Sequence, residues 1–383
     1  MSVRTLDLFC GIGGLTVGLE RAGLHSAGGV DIWQEALDTF AKNLQLPTLQ
    51  ADLTEVRSNA ICEALGVRLS DIDILVGGPP CQGFSTVGRR DSRDPRNSLW
   101  SHYLTLVNEI RPAYLMIENV EGLVVMERGG ICEQIVDAFA SIGYVVQWKL
   151  LRSCDFGVPQ LRKRVIFLGW IEGLAPVEFP RSSTSTPVTV KDAIFDLPQL
   201  EAGEIAVRYT KRPFTEFQKA RRKNNTVLEN HEAAFHSKDL VEILSYIPDG
   251  GNRKSIPDHL QPKSGFHNSY ARLASDKPAI AVTSNMRKPS SARATHPSQN
   301  RGLTVREGLR LQSFDDDFVV LGSRTSQYLQ VGNAVPPLLA EALGTQLLTA
   351  FQKNFRDQIK EARSRQAKQL LQRKPRQQEL HLK

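Results

Sequence analysis

The chain is poor in the residues that build metal and disulfide frameworks. Its 383 residues include five cysteines, Cys10, Cys62, Cys81, Cys132 and Cys154, and no pair has CxxC spacing. An odd, scattered set argues against a zinc site or a disulfide scaffold, and for a reducing compartment. No apolar run approaches the ~18 residues of a membrane span. The opening MSVRTLDLFC is a charged stub that leads straight into a strand-like segment, so no signal peptide is expected. No internal repeat is visible. With 41% hydrophobic and 23% charged residues the composition is that of a globular chain, long enough for about two domains.

Charge is present but unevenly placed. The whole chain holds 48 Lys+Arg against 41 Asp+Glu, net +7. Residues 351–383 carry 10 basic and 3 acidic residues, 181–301 carry 19 and 12, and the remainder carries 19 and 26. A basic middle and a basic tail on an acidic body suggest a polyanion bound by part of the molecule. A solvated surface of uneven charge is the alternative.

Residues 1–170 alternate short apolar runs with amphipathic stretches. Strands are expected at Thr5–Phe9, Ser26–Val30, Ile72–Val76, Tyr114–Ile117, Val145–Leu151 and Val165–Gly169. Helices are expected at Leu15–Ala22, Gln34–Leu44, Leu99–Ile110 and Ile131–Ile142. This alternation predicts a parallel or mostly parallel sheet covered by helices. FPRSSTSTPV then reads as a linker. Beyond it periodicity is poor, and KRPFTEFQKARRKNN is the densest basic stretch. Leu338–Gln372 is expected as one long helix, opened by Pro336-Pro337 and ended before Pro375.

Five segments carry chemistry. In Asp7-Leu-Phe-Cys-Gly-Ile-Gly-Gly-Leu15 a strand runs through three glycines into a helix, so the backbone can approach a ligand closely. Asp31, after the next apolar run, is placed to accept hydrogen bonds from ribose hydroxyls, and Asp52 to read an adenine amino group. A tight structural turn is the alternative, because the spacing is Gly-x-Gly-Gly and not Gly-x-Gly-x-x-Gly. In Gly77-Gly-Pro-Pro-Cys-Gln-Gly-Phe-Ser85, Cys81 follows a strand, where open α/β sheets bind ligands, and its thiol is a potential nucleophile. Glu118-Asn-Val120 ends another strand-like run, and a desolvated carboxyl group beside a thiol can hold and donate a proton. In Gln160-Leu-Arg-Lys-Arg164, Arg162 and Arg164 are two apart and face one side of an extended segment. Val331-Gly-Asn-Ala-Val-Pro-Pro337 suggests a fixed turn opening a helix.

In family order, DLFCGIGGL, GGPPCQGFS, ENV, QLRKR, RGLTVREGLRLQSF and VGNAVPP resemble the DNA (cytosine-5) methyltransferase family. The likeness covers most of the chain outside 181–260 and the tail. It implies an α/β fold, with a Rossmann-like S-adenosylmethionine-dependent methyltransferase domain and a smaller, irregular target recognition domain. The implied boundaries are 1–180 for the catalytic cofactor-binding domain and 181–325 for the recognition domain including the ninth motif. Residues 326–350 would return to the catalytic domain, and 351–383 would form a basic helical or disordered tail.

The resemblance implies S-adenosylmethionine as methyl donor and no metal. Phe9, Gly11, Gly13, Leu15, Asp31, Ile32, Asp52, Asn333 and Ala334 match its binding positions. Cys81 matches the nucleophile and Glu118 the acid at ring N3. Arg164 matches the contact to the position-2 carbonyl, and Arg162 the support of thiolate and loop. Pro79, through its carbonyl, and Gln82, Ser85, Val87, Arg89 and Arg96 are the candidate substrate contacts, the last five within or beside a loop closing over a flipped base. The implied partner is double-stranded DNA, with no membrane. The implied protein is a monomer acting in the cytoplasm near the nucleoid, with a cognate restriction endonuclease as a possible genetic partner. An RNA-methylating branch of the same fold usually carries a Cys-Phe-Thr element, which this chain lacks.

Overall fold

The computed structural model describes residues 2–80, 96–125, 130–262, 269–290 and 294–378; for 96–99 and 372–378 it describes the backbone alone. The runs Ile74-Leu-Val-Gly77 and Tyr114-Leu-Met-Ile-Glu-Asn119 are buried at every residue, the mark of strands covered on both faces. Among the described residues seven strands form one sheet. They are β1 Arg4–Leu8, β2 His25–Asp31, β3 Thr48–Gln50, β4 Ile74–Gly77, β5 Tyr114–Val120, β6 Tyr144–Arg152 and β7 Lys163–Ile171. Their order is β3-β2-β1-β4-β5-β7-β6. Pairings from β3 to β5 are parallel, whereas β7 runs antiparallel to both β5 and β6. The sheet is therefore mostly parallel with one reversed strand. The three-residue β3 was not among the expected strands, being too short to show alternation.

The helices in chain order are α1 Gly14–Arg21, α2 Gln34–Leu44, α3 Ser58–Ala64, α4 Arg96–Ile110, α5 Gly122–Val125, α6 Gly130–Ser141, α7 Val190–Ile194, α8 Glu216–Arg222, α9 Lys238–Ser245, α10 Val305–Leu311, α11 Arg324–Asn333, α12 Pro337–Gln352 and α13 Arg356–Gln378. The single C-terminal helix expected from the sequence is thus two. The break falls at Asn354, whose Nδ2 donates to the carbonyl of Ala350 at 2.9 Å and to the Tyr114 hydroxyl at 2.6 Å. That side chain caps α12 and fastens it to the sheet. The backbone of α13 also continues through Pro375, so the proline is not its stop.

Two main cores divide the molecule. One gathers the sheet, its flanking helices, Leu339–Phe351 of α12, and Ile359 and Ala362 of α13. The other gathers Val190–Leu197, Leu273–Met286, α10 and α11, together with Ile12 and Ala36. Helix α12 returns to α1 at close range. A Cβ on Gly18 would strike Ala340 and the carbonyl of Pro337, so only glycine lets the two helices meet there. This return brings Gly332, Asn333 and Ala334 to the carboxyl edge of the sheet.

Candidate active site

A cleft of about 680 Å³ opens at the carboxyl ends of β1, β2, β4 and β5. Phe9, Gly11 and Leu15 line it after β1, and Asp31, Ile32 and Trp33 after β2. Pro79 and Pro80 follow β4, Glu118 and Asn119 belong to β5, and Arg162, Arg164, Asn333 and Ala334 complete the wall. Residues spread over more than three hundred positions meet here because each lies at or near the end of its own element.

The first loop is held open by its backbone. Phe9 and Gly11 both adopt left-handed conformations, φ +62° and +52°. For phenylalanine this is a strained choice of the kind found where a loop bends under a ligand. A Cβ built on Gly11 meets nothing within 4 Å, so the loop faces open space. Gly13, in contrast, packs against Phe40 and Leu44, and starts α1. Asp31 is fixed from both sides, accepting from Gly11 N at 2.8 Å and Trp33 N at 2.9 Å. Ile32 beside it is 63% exposed, an apolar side chain offered to the cleft. Asp52 does not line the cleft. Its Oδ1 accepts from the backbone and hydroxyl of Thr54 at 2.8 and 2.7 Å, bonds that hold its carboxyl below the usual range.

Asp7 went unassigned as a site residue in the sequence, although it stands in the first motif. It lines the cleft, buried at 1% exposure. Its Oδ2 accepts from Thr16 Oγ1 at 2.7 Å, while Oδ1 has no partner among the described residues. Burial pushes its carboxyl up to about 7; the Thr16 bond opposes this and the Asp31 charge adds to it.

The opposite wall carries an ion pair. In β5–β7 pairing Glu118 faces Ile166 and Val120 faces Arg164, so Glu118 and Arg164 are diagonal neighbours on one face. Arg164 Nε stands 2.5 Å from Glu118 Oε1, with both side chains largely buried. The contact is an ion pair without hydrogen-bond alignment. Gly78 leaves room for the other oxygen, since a Cβ there would lie 3.2 Å from Glu118 Oε2. Asn119, second in the Glu-Asn-Val motif, donates from Nδ2 to the carbonyl of Pro79 at 2.8 Å. That bond anchors the turn leading to Cys81, and one acceptor position of the Pro79 carbonyl remains.

Arg162 is 3% exposed, and burial pulls its guanidinium down to about 9, with Arg164 adding to the effect and Glu118 opposing it. It remains a cation at neutral pH. Its Nη1 donates to the carbonyls of Val282 and Gly332, both at 3.1 Å. Cys81, Gln82, Ser85, Val87 and Arg89 lie outside the described residues, as does the side chain of Arg96. Cys10, Cys62, Cys132 and Cys154 are buried free thiols. Among the described residues no His, Cys, Asp and Glu group has a metal-binding arrangement, and no helix is long and apolar enough to cross a membrane.

A mostly parallel, helix-covered sheet with a glycine loop after β1, an acidic residue after β2 and a cleft at its carboxyl edge defines a Rossmann-like methyltransferase fold. Residues 3–349 match the C-5 cytosine-specific DNA methylase family. The chain is 40% identical to the Type II methyltransferase M1.HphI of Haemophilus parahaemolyticus, over 91% of this chain and 87% of that one. It is 35% identical to the Type II methyltransferase M.DdeI of Desulfomicrobium norvegicum, over 91% and 89%. A crystal structure described as a DNA modification methyltransferase encoded within an E. coli prophage superposes with a TM-score of 0.75, 26% identity, and coverage of 92% of this chain and all of that one. The chain belongs to the C-5 cytosine-specific DNA methylase family, and it is a DNA cytosine-5 methyltransferase.

Proposed function

We propose that the protein methylates carbon 5 of cytosine within a specific duplex DNA sequence, in a restriction–modification or solitary bacterial setting in the cytoplasm, using S-adenosylmethionine. The observation that carries the reading is the meeting of Glu118, Arg164 and the Pro79-Pro80 turn with the glycine loop and Asp31 in one cleft. The lining suits the donor. Asp31 suits ribose hydroxyls, Ile32 an adenine face, and the open backbone at Gly11 close approach. The unpartnered Oδ1 of Asp7 suits a cationic group. When bound, the donor supplies an electrophilic methyl group on a sulfonium.

Carbon 5 of cytosine is a weak nucleophile. The Cys81 thiolate adds to carbon 6, forming a carbon–sulfur bond and moving an electron pair through the ring toward N3. Glu118 delivers a proton to N3 and neutralises that charge. Arg164, in its pair with Glu118, orients the carboxyl group and contacts the carbonyl at position 2. The Pro79 carbonyl, steadied by Asn119, accepts from the exocyclic amino group. Carbon 5, now enamine-like, would take the methyl group as its bond to sulfur breaks, the electron pair staying on the neutral thioether, and N3 would return its proton to Glu118. A base then removes the carbon 5 proton, and Cys81 leaves with its electron pair as the double bond re-forms.

A stacked base cannot reach this cleft, so the target must leave the helix, at about a few kcal/mol. Gln82, Ser85, Val87, Arg89 and Arg96 would contact the strand around it, and the second core would read the flanking sequence. Incubation with plasmid DNA and S-adenosylmethionine, followed by bisulfite sequencing, tests the reading. Protection of cytosine in one recurring sequence is expected. Labelled methyl appearing in tRNA and not in duplex DNA would overturn it.

A further inference from the structure

The Gln160–Arg164 segment contains four long polar side chains; Arg164 is paired with Glu118, and Lys163 with Glu121 at 2.9 Å. Gln160 and Arg162 reach away from Glu118, and both bond Val282 of the second core. Gln160, wholly buried, accepts from Val282 N at 2.7 Å through Oε1 and donates from Nε2 to Leu311 O at 3.1 Å. Arg162 donates to Val282 O at 3.1 Å. Both backbone polar groups of Val282 are therefore held by side chains two residues apart, about 120 positions earlier. The second bond from Arg162 Nη1 goes to Gly332 O, in the cofactor-side wall of the cleft. From the far side, Gly332 abuts the same segment. A Cβ there would fall on Ser284 N and come within 2.7 Å of Thr283 C.

We propose that Gln160 and Arg162 are positioning residues that clamp the Val282–Ser284 segment of the second core against Gly332. Through this clamp Arg162 acts on methyl transfer by aligning the DNA-reading part with the donor's end of the cleft, and not by touching the reacting ring. The physical basis is the buried charge. A guanidinium donating to two carbonyls from different parts of the fold loses a bond if either wall moves, which leaves a desolvated cation underpaired. The clamp is thus a stiff joint between the two substrate sites. The inference rests on the reading that the Gly332 side of the cleft holds S-adenosylmethionine.

Two substitutions release the clamp from opposite sides. Arg162→Met removes the bonds, and Gly332→Ala pushes the segment off α11 without altering any charged group. Donor affinity is measured by calorimetry without DNA, and KM for DNA and kcat on duplex carrying the methylated site. Melting temperature confirms folding, and Arg162→Lys replaces Arg162→Met if the latter does not fold. Each variant is expected to weaken donor binding and raise KM for DNA by about tenfold, with a smaller change in kcat. The double variant should be far less than additive, because both act on one segment. A fall in kcat with both affinities intact in the Arg162 variant, beside a near-normal Gly332→Ala, would overturn the proposal, as would full additivity. Failure of the unmodified protein to bind S-adenosylmethionine would instead remove the reading beneath it.

Discussion

At the residue scale the site depends on pairs whose members lie far apart in sequence. Glu118 and Arg164 meet because β7 runs antiparallel to β5 and offsets them by one diagonal step. Replacing Glu118 by Gln keeps the shape and removes the transferable proton. The expected result is a kcat lower by about 10² to 10⁴, with donor affinity unchanged, measured by methyl transfer and calorimetry. Unchanged turnover would show that N3 is served by another group. Glu118 and the glycine loop were legible in the sequence because each closes an apolar run, and Arg164 because it opens one in the antiparallel β7, so all three lie at the same edge of the sheet. The attachment of Arg162 to Val282 was not legible, since its partners are backbone carbonyls that leave no pattern in side-chain chemistry. Asn119 and Asp7 stood inside recognised motifs, yet their partners, the Pro79 carbonyl and the Thr16 hydroxyl, emerge only from the folded geometry.

At the element scale, α10 is seated on buried charge. Arg310 pairs with Asp196 and Asp316, and Arg301 with Glu307 at 2.7 Å, all essentially without exposure. His296 lies beside Glu307 and is driven by burial down to about 3, against the pull of Glu307. A histidine held neutral in the fold stabilises it fully above its unfolded value, about 6.5. That stability is lost progressively as pH falls from there toward 3. The urea midpoint should therefore drop below pH 6.5, and His296→Gln should make the drop shallower. An identical pH slope in the variant would contradict this assignment.

Helix α13 extends beyond the family match, and its first half is not a loose tail. Arg356 Nη1 lies 2.5 Å from Asp73 Oδ1, and Arg363 donates to the carbonyls of Ser70 and Ile72 at 3.0 and 2.6 Å. Gln366 reaches Ile142 O at 2.7 Å. These contacts lie at the amino ends of β4 and β6, opposite the edge where the cleft opens. Deleting residues beyond Gln352 would leave Asp73, 2% exposed, without Arg356 and Arg363. The melting temperature should fall by on the order of 5 °C, and Asp73→Asn should recover part of it. A truncated chain as stable as the full one would refute the docking role. The buried stripe Ile359, Ala362 and Gln366 was hidden in the sequence by the basic residues around it.

At the scale of the whole molecule, part of the basic charge is paired within the fold. In the densest basic stretch, Arg221 and Lys223 pair with Asp315 at 2.9 and 2.7 Å, and Lys219 with Glu216 at 2.7 Å. The Arg222 guanidinium stacks 3.6 Å from the Tyr209 ring centre. Asp315 also binds Arg21 at the end of α1, so these cations join the two cores. Arg221→Met should lower stability while leaving the slope of log affinity for DNA against log salt unchanged. A slope shallower by about one would instead assign this arginine to a phosphate.

The proposed reaction is tested most directly at Cys81. A duplex carrying the methylated sequence, with 5-fluorocytosine at the target, blocks the loss of the carbon 5 proton. With S-adenosylmethionine present, the predicted result is a denaturation-resistant protein–DNA adduct whose digest maps to Cys81, abolished in Cys81→Ala. Methylation of the natural duplex without a trapped adduct, or an adduct on another residue, would contradict the account.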